Sequence, residues 1–256
     1  MVKPPLGTLR TVGGVRLFVD ARDGPGPPVV FLPGAGLTGM DYLQLHERVA
    51  AERASLIYDR AGNGWSQRVR LPRSSTEVTD ELHELLATHG PALLVGHSLG
   101  GLYARHYATR FPDATAGLVL LDPAHEDYDA AMPAELTRRR AGAQTMFALL
   151  TQIVTAATAT APTRALLQAL PPIRRYRTLY RTLFEQELAD WPDEVRTCLV
   201  DRHVSLDWLV VGLRETRKLD RLYAEVRAAG PLPDVPLVIL SSTGTDGFRD
   251  AVSSGE

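Results

Sequence analysis

Short continuous apolar runs, at residues 28–32, 55–58, 92–95 and 117–121, punctuate the first half of the chain. Each run leads into a loop containing glycine or aspartate, and stretches of helical spacing lie between them. Runs of this length without polar alternation suit strands buried on both faces, as in a mainly parallel sheet covered by helices on either side. Residues 15–19, after Gly13-Gly14, read as part of an early antiparallel hairpin. Helices are predicted over residues 75–88 and from 102 to about 111, where Phe111-Pro112 ends the second. At residue 126 the alternation stops. Residues 126–230 read as helical throughout, with breaks at Ala161-Pro162, Pro171-Pro172 and Trp191-Pro192, and with amphipathic spacing such as Leu179, Leu183 and Leu188. Strand pattern returns only at 236–240. About a hundred helical residues are too many for a crossover and predict an inserted all-helical domain. The expected division is a core of 1–125 and 231–256 with a helical insertion of 126–230.

Composition narrows the class without naming it. The chain has 256 residues, 45% hydrophobic and 23% charged, which excludes disordered and fibrous classes. A formal net charge of −2 gives no electrostatic reason to expect a nucleic-acid partner. The single cysteine, Cys198, forms no internal disulfide framework and is expected to be a small core residue. The first residues lack the apolar centre of a signal peptide, and no run of about twenty apolar residues occurs, so a cytoplasmic chain without a membrane span is expected. The nearest approach to such a run, residues 146–161, is short, carries four threonines and suits a helix of the insertion.

The chemistry is concentrated at Gly96-His97-Ser98-Leu99-Gly100-Gly101. Strand, then G-x-S-x-G, then helix is the context in which that motif marks a nucleophilic serine on a sharp turn. The glycines are needed because a side chain there would collide with neighbouring backbone. Ser98 is thereby placed at a helix N-terminus, where free N–H groups and the helix dipole favour developing negative charge.

Four motifs in the same order carry a resemblance to the α/β-hydrolase fold family in its capped branch. Besides the serine turn, Leu32-Pro33-Gly34-Ala35-Gly36 matches the loop after the third strand. Asp59-Arg60-Ala61-Gly62-Asn63-Gly64-Trp65-Ser66 resembles the D-R-x-G-x-G-x-S loop after the fourth. Residues 118–123 match the sixth strand, after which the family inserts its cap. The resemblance covers nearly the whole chain and implies a serine hydrolase cleaving an ester, thioester or related acyl bond through an acyl-enzyme on Ser98. It assigns two backbone N–H donors to the acyl oxygen, Leu99 and Ala35. Pro33 stands where the family often has histidine, which leaves the backbone donor but removes a usual side-chain contact. The Asp59–Ser66 loop is expected to be structural, with Arg60 or Trp65 at the pocket mouth as the lesser alternative. No cofactor or metal is implied, and the expected partner is a small, partly apolar acyl substrate shaped by insertion aromatics such as Phe184 and Trp208. Oligomeric state is left open.

A serine hydroxyl needs a base. The resemblance implies the chain order Ser, acid, His. The acid falls to Asp246 after the seventh strand, with Asp122 after the sixth as the alternative. Ten residues follow Asp246 and none is histidine, so the expectation is a fragment or early-terminated product lacking the eighth strand and its histidine loop. Among the seven histidines, His46, His83 and His89 are expected at the surface or as caps, His97 beside its strand, and His106 in the core or a groove. His203 lies in the insertion and can face the pocket. His125, just after Asp122, is the substitute base. A non-catalytic ligand-binding or signalling member of the same fold is the alternative reading.

Overall fold

The computed structural model describes residues 4–127, 130, 152–153 and 160–242. Its strands are β1 (Thr8–Val12), β2 (Val15–Arg22), β3 (Val29–Leu32), β4 (Ser55–Tyr58), β5 (Ala92–His97), β6 (Thr115–Leu121) and β7 (Leu237–Leu240). The described helices of four turns or fewer on the core are α1 (Leu43–Ala50), α2 (Ser75–Leu85) and α3 (Leu99–Arg110). Between β6 and β7 come α4 (Ala161–Ala169), α5 (Pro171–Glu187), α6 (Asp193–His203), α7 (Leu206–Glu215) and α8 (Leu219–Ala229).

One sheet runs in the order β1-β2-β4-β3-β5-β6-β7. β1, β2 and β4 pair antiparallel, and every pairing from β4 through β7 is parallel. The β1–β2 hairpin closes through Gly13 and Gly14 at φ 54° and 77°, the two positive values that a two-residue turn matching strand twist demands. α2 begins with a capping box: the Ser74 N–H donates to Glu77 Oε2 at 2.7 Å, and the Glu77 N–H donates to Ser74 Oγ at 3.1 Å.

The unbroken apolar runs split between two cores because side chains alternate across a strand. Leu17, Val30, Leu32, Leu56 and Leu94 pack on one face with α2, α3 and Leu222 and Val226 of α8. Phe18, Val29, Phe31, Ile57 and Val95 pack on the other with Met40, Leu43 and, from the chain between β6 and β7, Trp191, Val195 and Leu199. Helices between β6 and β7 therefore complete both cores. β7 ends the described sheet, its four side chains between 42% and 56% exposed.

His46, expected at the surface, is instead fully buried. Its Nδ1 lies 2.8 Å from Ser55 Oγ and its Nε2 3.3 Å from Asp20, so it fastens α1 to the start of β4 and to β2. The helical pattern around it did not show this, because a polar residue satisfied by buried partners looks like a surface residue in sequence. His106 is buried as expected, its Nδ1 2.6 Å from Ser75 Oγ. Cys198 is partly buried against the second core, and burial raises its thiol pKa. Residues 146–151 and 154–159, and Asp246, lie outside the described residues.

Leu94 sits at the centre of the sheet with no exposed surface. Leu94→Ala is expected to remove roughly 2–5 kcal/mol from the unfolding free energy measured in urea. A loss well under about 1 kcal/mol would contradict this packing.

Candidate active site

Ser98 closes the gap between β5 and α3 in a conformation few L-residues adopt, φ 49° and ψ −117°. Backbone bonds hold it there, among them a longer one at 3.4 Å from the Leu102 N–H to its carbonyl. Its N–H donates to the Leu121 carbonyl at 3.0 Å, and its own carbonyl accepts from Gly101 and from Ala124, each at 3.0 Å. The turn exists because its neighbours have no side chains. A Cβ on Gly100 would lie 2.0 Å from the Leu32 carbonyl oxygen, and one on Gly96 would lie 2.7 Å from that of Gly100. The same closeness sets the start of α3 directly against the loop that leaves β3. Ser98 itself is half-buried, and the Leu99 amide is the first of α3, a position without an intrahelical acceptor.

The loop Pro33–Gly36 is held from behind by Arg60, whose side chain is 2% exposed. The guanidinium donates to the Pro33 carbonyl at 2.5 Å and to the Gly34 carbonyl at 2.8 Å. Because a trans peptide points its C=O and N–H to opposite sides, fixing the Gly34 carbonyl turns the Ala35 N–H away from Arg60. Among the described residues, neither the Ala35 nor the Leu99 N–H donates to an acceptor. Arg60 is neutralised by Glu215 of α7: Oε1 accepts from Nε at 3.1 Å and from a terminal nitrogen at 2.9 Å, while Oε2 accepts the Gly36 N–H at 2.7 Å. Elsewhere in the Asp59–Ser66 loop, Trp65 lines a second cavity together with Arg202 and Val211, while other groups fasten neighbouring backbone. Asp59 accepts the amides of Gly39 and Trp65, each at 2.7 Å, and burial pushes its pKa up to about 6 despite Arg202 nearby. Glu81 accepts the Ala61 N–H at 3.1 Å. Arg60 thus serves as a buried clamp rather than a pocket-mouth residue.

Asp122, the alternative acid, follows β6 beside the Ser98 turn at φ 40°. Its Oδ1 accepts the Ser242 N–H at 2.7 Å, which, with His97 nearby, holds the exposed carboxyl below its ordinary range. His125 is 46% exposed, and its Nδ1 accepts the Asp127 N–H at 3.0 Å. Among the described residues no histidine ring hydrogen-bonds to Ser98. His125, Glu126 and Asp127 bring three ligand-type atoms within 4.8 Å of one another. Glu126 is nevertheless held by both terminal nitrogens of Arg105, at 2.6 and 2.8 Å, and Asp127 pairs with Arg227 at 3.0 Å. The cluster is an ion-pair knot.

Beside the serine turn lies a cavity of about 300 Å³ lined by Leu37, Asp41, Tyr42, His97, Leu121 and, from the helices between β6 and β7, Phe184, His203 and Trp208. Sequence reasoning had no handle on Tyr42, whose hydroxyl lies 2.8 Å from His97 Nδ1. Burial lowers the His97 pKa. His203 does face the cavity, with Nε2 2.8 Å from Asp41 Oδ1 and Nδ1 2.8 Å from the Leu199 carbonyl. With Asp41 ionised, both ring nitrogens donate, as in an imidazolium. Burial alone would lower its pKa, but the charge and hydrogen bond of Asp41 raise it. Burial would likewise raise Asp41, and the same partner lowers it. Among the described residues, the buried indole N–H of Trp208 meets no acceptor.

The chain belongs to the Alpha/beta hydrolase family, whose pattern it matches over residues 29–248. It is 40% identical over 109 residues to a pimeloyl-[acyl-carrier protein] methyl ester esterase of Chromobacterium violaceum, covering 42% of this chain and 41% of that protein. A relative from Cronobacter sakazakii named as a carbamate hydrolase is 32% identical over 113 residues, 42% of each chain. The matched region thus spans about two fifths of the length of these curated relatives. An alpha/beta hydrolase fold protein from Burkholderia ambifaria superposes with a TM-score of 0.62 at 17% identity, over 97% of this chain and 86% of that one. The epoxide hydrolase CorEH superposes at 0.63 and 16% identity, over 93% and 82%. These two likenesses concern the fold. No helix among the described residues is long and apolar enough to cross a membrane.

Two outcomes follow from this geometry. Gly100→Ala is expected to destabilise by at least about 1–3 kcal/mol, because strand backbone must move; Gly90→Ala, with open space around it, is the control expected to stay within about 0.5 kcal/mol. The second concerns pH. A raised His203 pKa stabilises the fold below the ordinary imidazole value, and that contribution fades as pH rises through the raised one. A lowered Asp41 pKa stabilises above the ordinary carboxylate value and fades as pH falls through the lowered one. The stability lost in His203→Gln should therefore be largest between about pH 4 and 6.5 and shrink in alkali, as read from urea titrations across pH. A loss independent of pH would contradict the ion pair.

Proposed function

We propose that this chain carries the nucleophile and acyl-oxygen site of a serine hydrolase acting on a carboxylic ester, carbamate or related acyl bond. The observation that carries the reading is the pairing of a left-handed, half-buried Ser98 with two unclaimed amides, Ala35 and Leu99, on elements in backbone contact. Ser98 Oγ attacks the acyl carbon, the carbonyl oxygen takes up negative charge, and the leaving group departs with a proton, giving an acyl-enzyme that water hydrolyses. Preorganised amides contribute most to such steps, typically ~3 kcal/mol of barrier each. The relatives named for ester and carbamate hydrolysis support this substrate class. The helical insertion acts as a cap: Phe184, His203 and Trp208 close one side of the cavity and suit a partly apolar acyl group.

The acid is Asp246 or Asp122; Asp122 has in its favour its place at the end of β6, whose Leu121 carbonyl receives the Ser98 amide. His125 takes the role of base once its ring leaves the Asp127 amide. A second reading, a ligand-binding member that turns nothing over, is favoured by one observation: His97, His125 and His203 spend ring nitrogens on Tyr42, Asp127, Asp41 and Leu199.

A fluorophosphonate probe separates the two readings. The hydrolase reading expects one phosphonyl group per chain, mapped to Ser98 by peptide mass spectrometry and lost in Ser98→Ala. A folded chain that takes up no label is the binding member. With a labelling chain in hand, His125→Ala is expected to slow the reaction by about 100-fold or more; an unchanged rate removes His125 as base.

A further inference from the structure

We infer that Glu215, at the end of α7 in the helical insertion, is a positioning residue for the acyl-oxygen site, so that the seating of the insertion sets how well Ser98 reacts. The inference rests on the serine-hydrolase reading above. Glu215 is 4% exposed and far from any reacting atom in sequence, yet its two oxygens bind both the loop and the loop's clamp. Oε2 takes the Gly36 N–H at 2.7 Å, and Oε1 orients Arg60, which in turn holds the carbonyls of Pro33 and Gly34. Of the four residues Pro33–Gly36, three have a backbone group claimed by this pair. The Ala35 N–H between them is the one left to meet a substrate oxygen.

The approach is built for contact of backbone on backbone. Trp208, Gly212 and Glu215 fall on one face of α7 by helical spacing. A Cβ placed on Gly36, which sits at φ 76°, would lie only 3.3 Å from the Gly212 Cα and 3.5 Å from the Trp208 Nε1. α7 therefore rests on the loop itself, and a shift of the insertion must be felt at Gly36. A carboxylate suits this junction, since three N–H bonds converge on its two oxygens. Glutamine offers one acceptor oxygen and turns its NH₂ toward either Gly36 or Arg60, donor against donor. The loop would have to rotate to relieve this, carrying the Ala35 N–H with it. An interaction aimed at charge that develops only in the transition state changes the rate of the chemical step and leaves ground-state binding alone.

The test is Glu215→Gln in the full chain, read by the kinetics of fluorophosphonate labelling at Ser98. The expected result is a maximal labelling rate lower by about 10-fold or more, with the concentration for half-maximal rate within about 2-fold of the starting protein. A role confined to folding predicts the opposite pattern: a lower melting temperature, but an unchanged maximal rate per folded chain, and that result overturns the inference. Failure of the starting protein itself to label Ser98 overturns the hydrolase reading, and this inference with it, before any variant is made. Should the variant not fold, hydrogen exchange on the starting protein decides. The Gly36 amide is expected to be protected throughout, and the Ala35 amide to become protected only after Ser98 carries the phosphonyl group. Rapid exchange at Gly36, or an Ala35 amide indifferent to the adduct, contradicts the assignment.

Discussion

Between the end of β5 and the first turn of α3 the chain has no room for one additional carbon atom. The start of α3 lies so close to the Leu32 carbonyl that only a hydrogen fits at residue 100. That closeness forces Ser98 into a left-handed turn, ties its amide to β6, and brings the loop after β3 alongside the first amides of the helix. Backbone strain of this kind costs of order 1–3 kcal/mol and persists only where the surroundings over-determine it. Here the surroundings are two cores, one on each face of the sheet, and they hold the turn from both sides.

The loop Pro33–Gly36 faces a different problem, since a short loop leaving a strand has no ladder to fix it. Its rigidity is supplied electrostatically, by a buried guanidinium and a carboxylate from the insertion. Such a pair gains little net stability, because taking both charges out of water offsets most of their attraction. What it supplies is direction: a planar fork of donors defines where two carbonyls point. A second pair, His203 with Asp41, fastens α6 to the segment before α1 within reach of the same cavity. Among the described residues, the helices between β6 and β7 are thus tied by charge to Arg60 and to Asp41, both near the serine turn.

The fold was legible in the chain because its signals are local and redundant. Runs such as residues 55–58 and 117–121 fall in strands, Gly13-Gly14 makes the hairpin turn, and prolines near residues 162, 172 and 192 mark helix starts. The serine turn was legible for the same reason, since its glycines answer a local steric demand. The partnerships across the insertion were not. Glu215 and His203 look like ordinary polar positions on amphipathic helices, and nothing in their spacing shows that they reach residues some 155 and 162 positions away. His46 was misjudged on the same ground: burial of a polar group is decided by the partner, and the partner is remote in sequence. Asp246, the acid that the motifs favour, lies outside the described residues.

We propose that Ser98 forms a covalent acyl intermediate at this turn. The direct measurement is intact-protein mass spectrometry within seconds of mixing with p-nitrophenyl acetate, followed by peptide mapping. One acetyl group on Ser98, released over time as the burst decays and missing in Ser98→Ala, is the predicted result. An unmodified chain, or an acetyl group carried equally by the alanine variant, would contradict it.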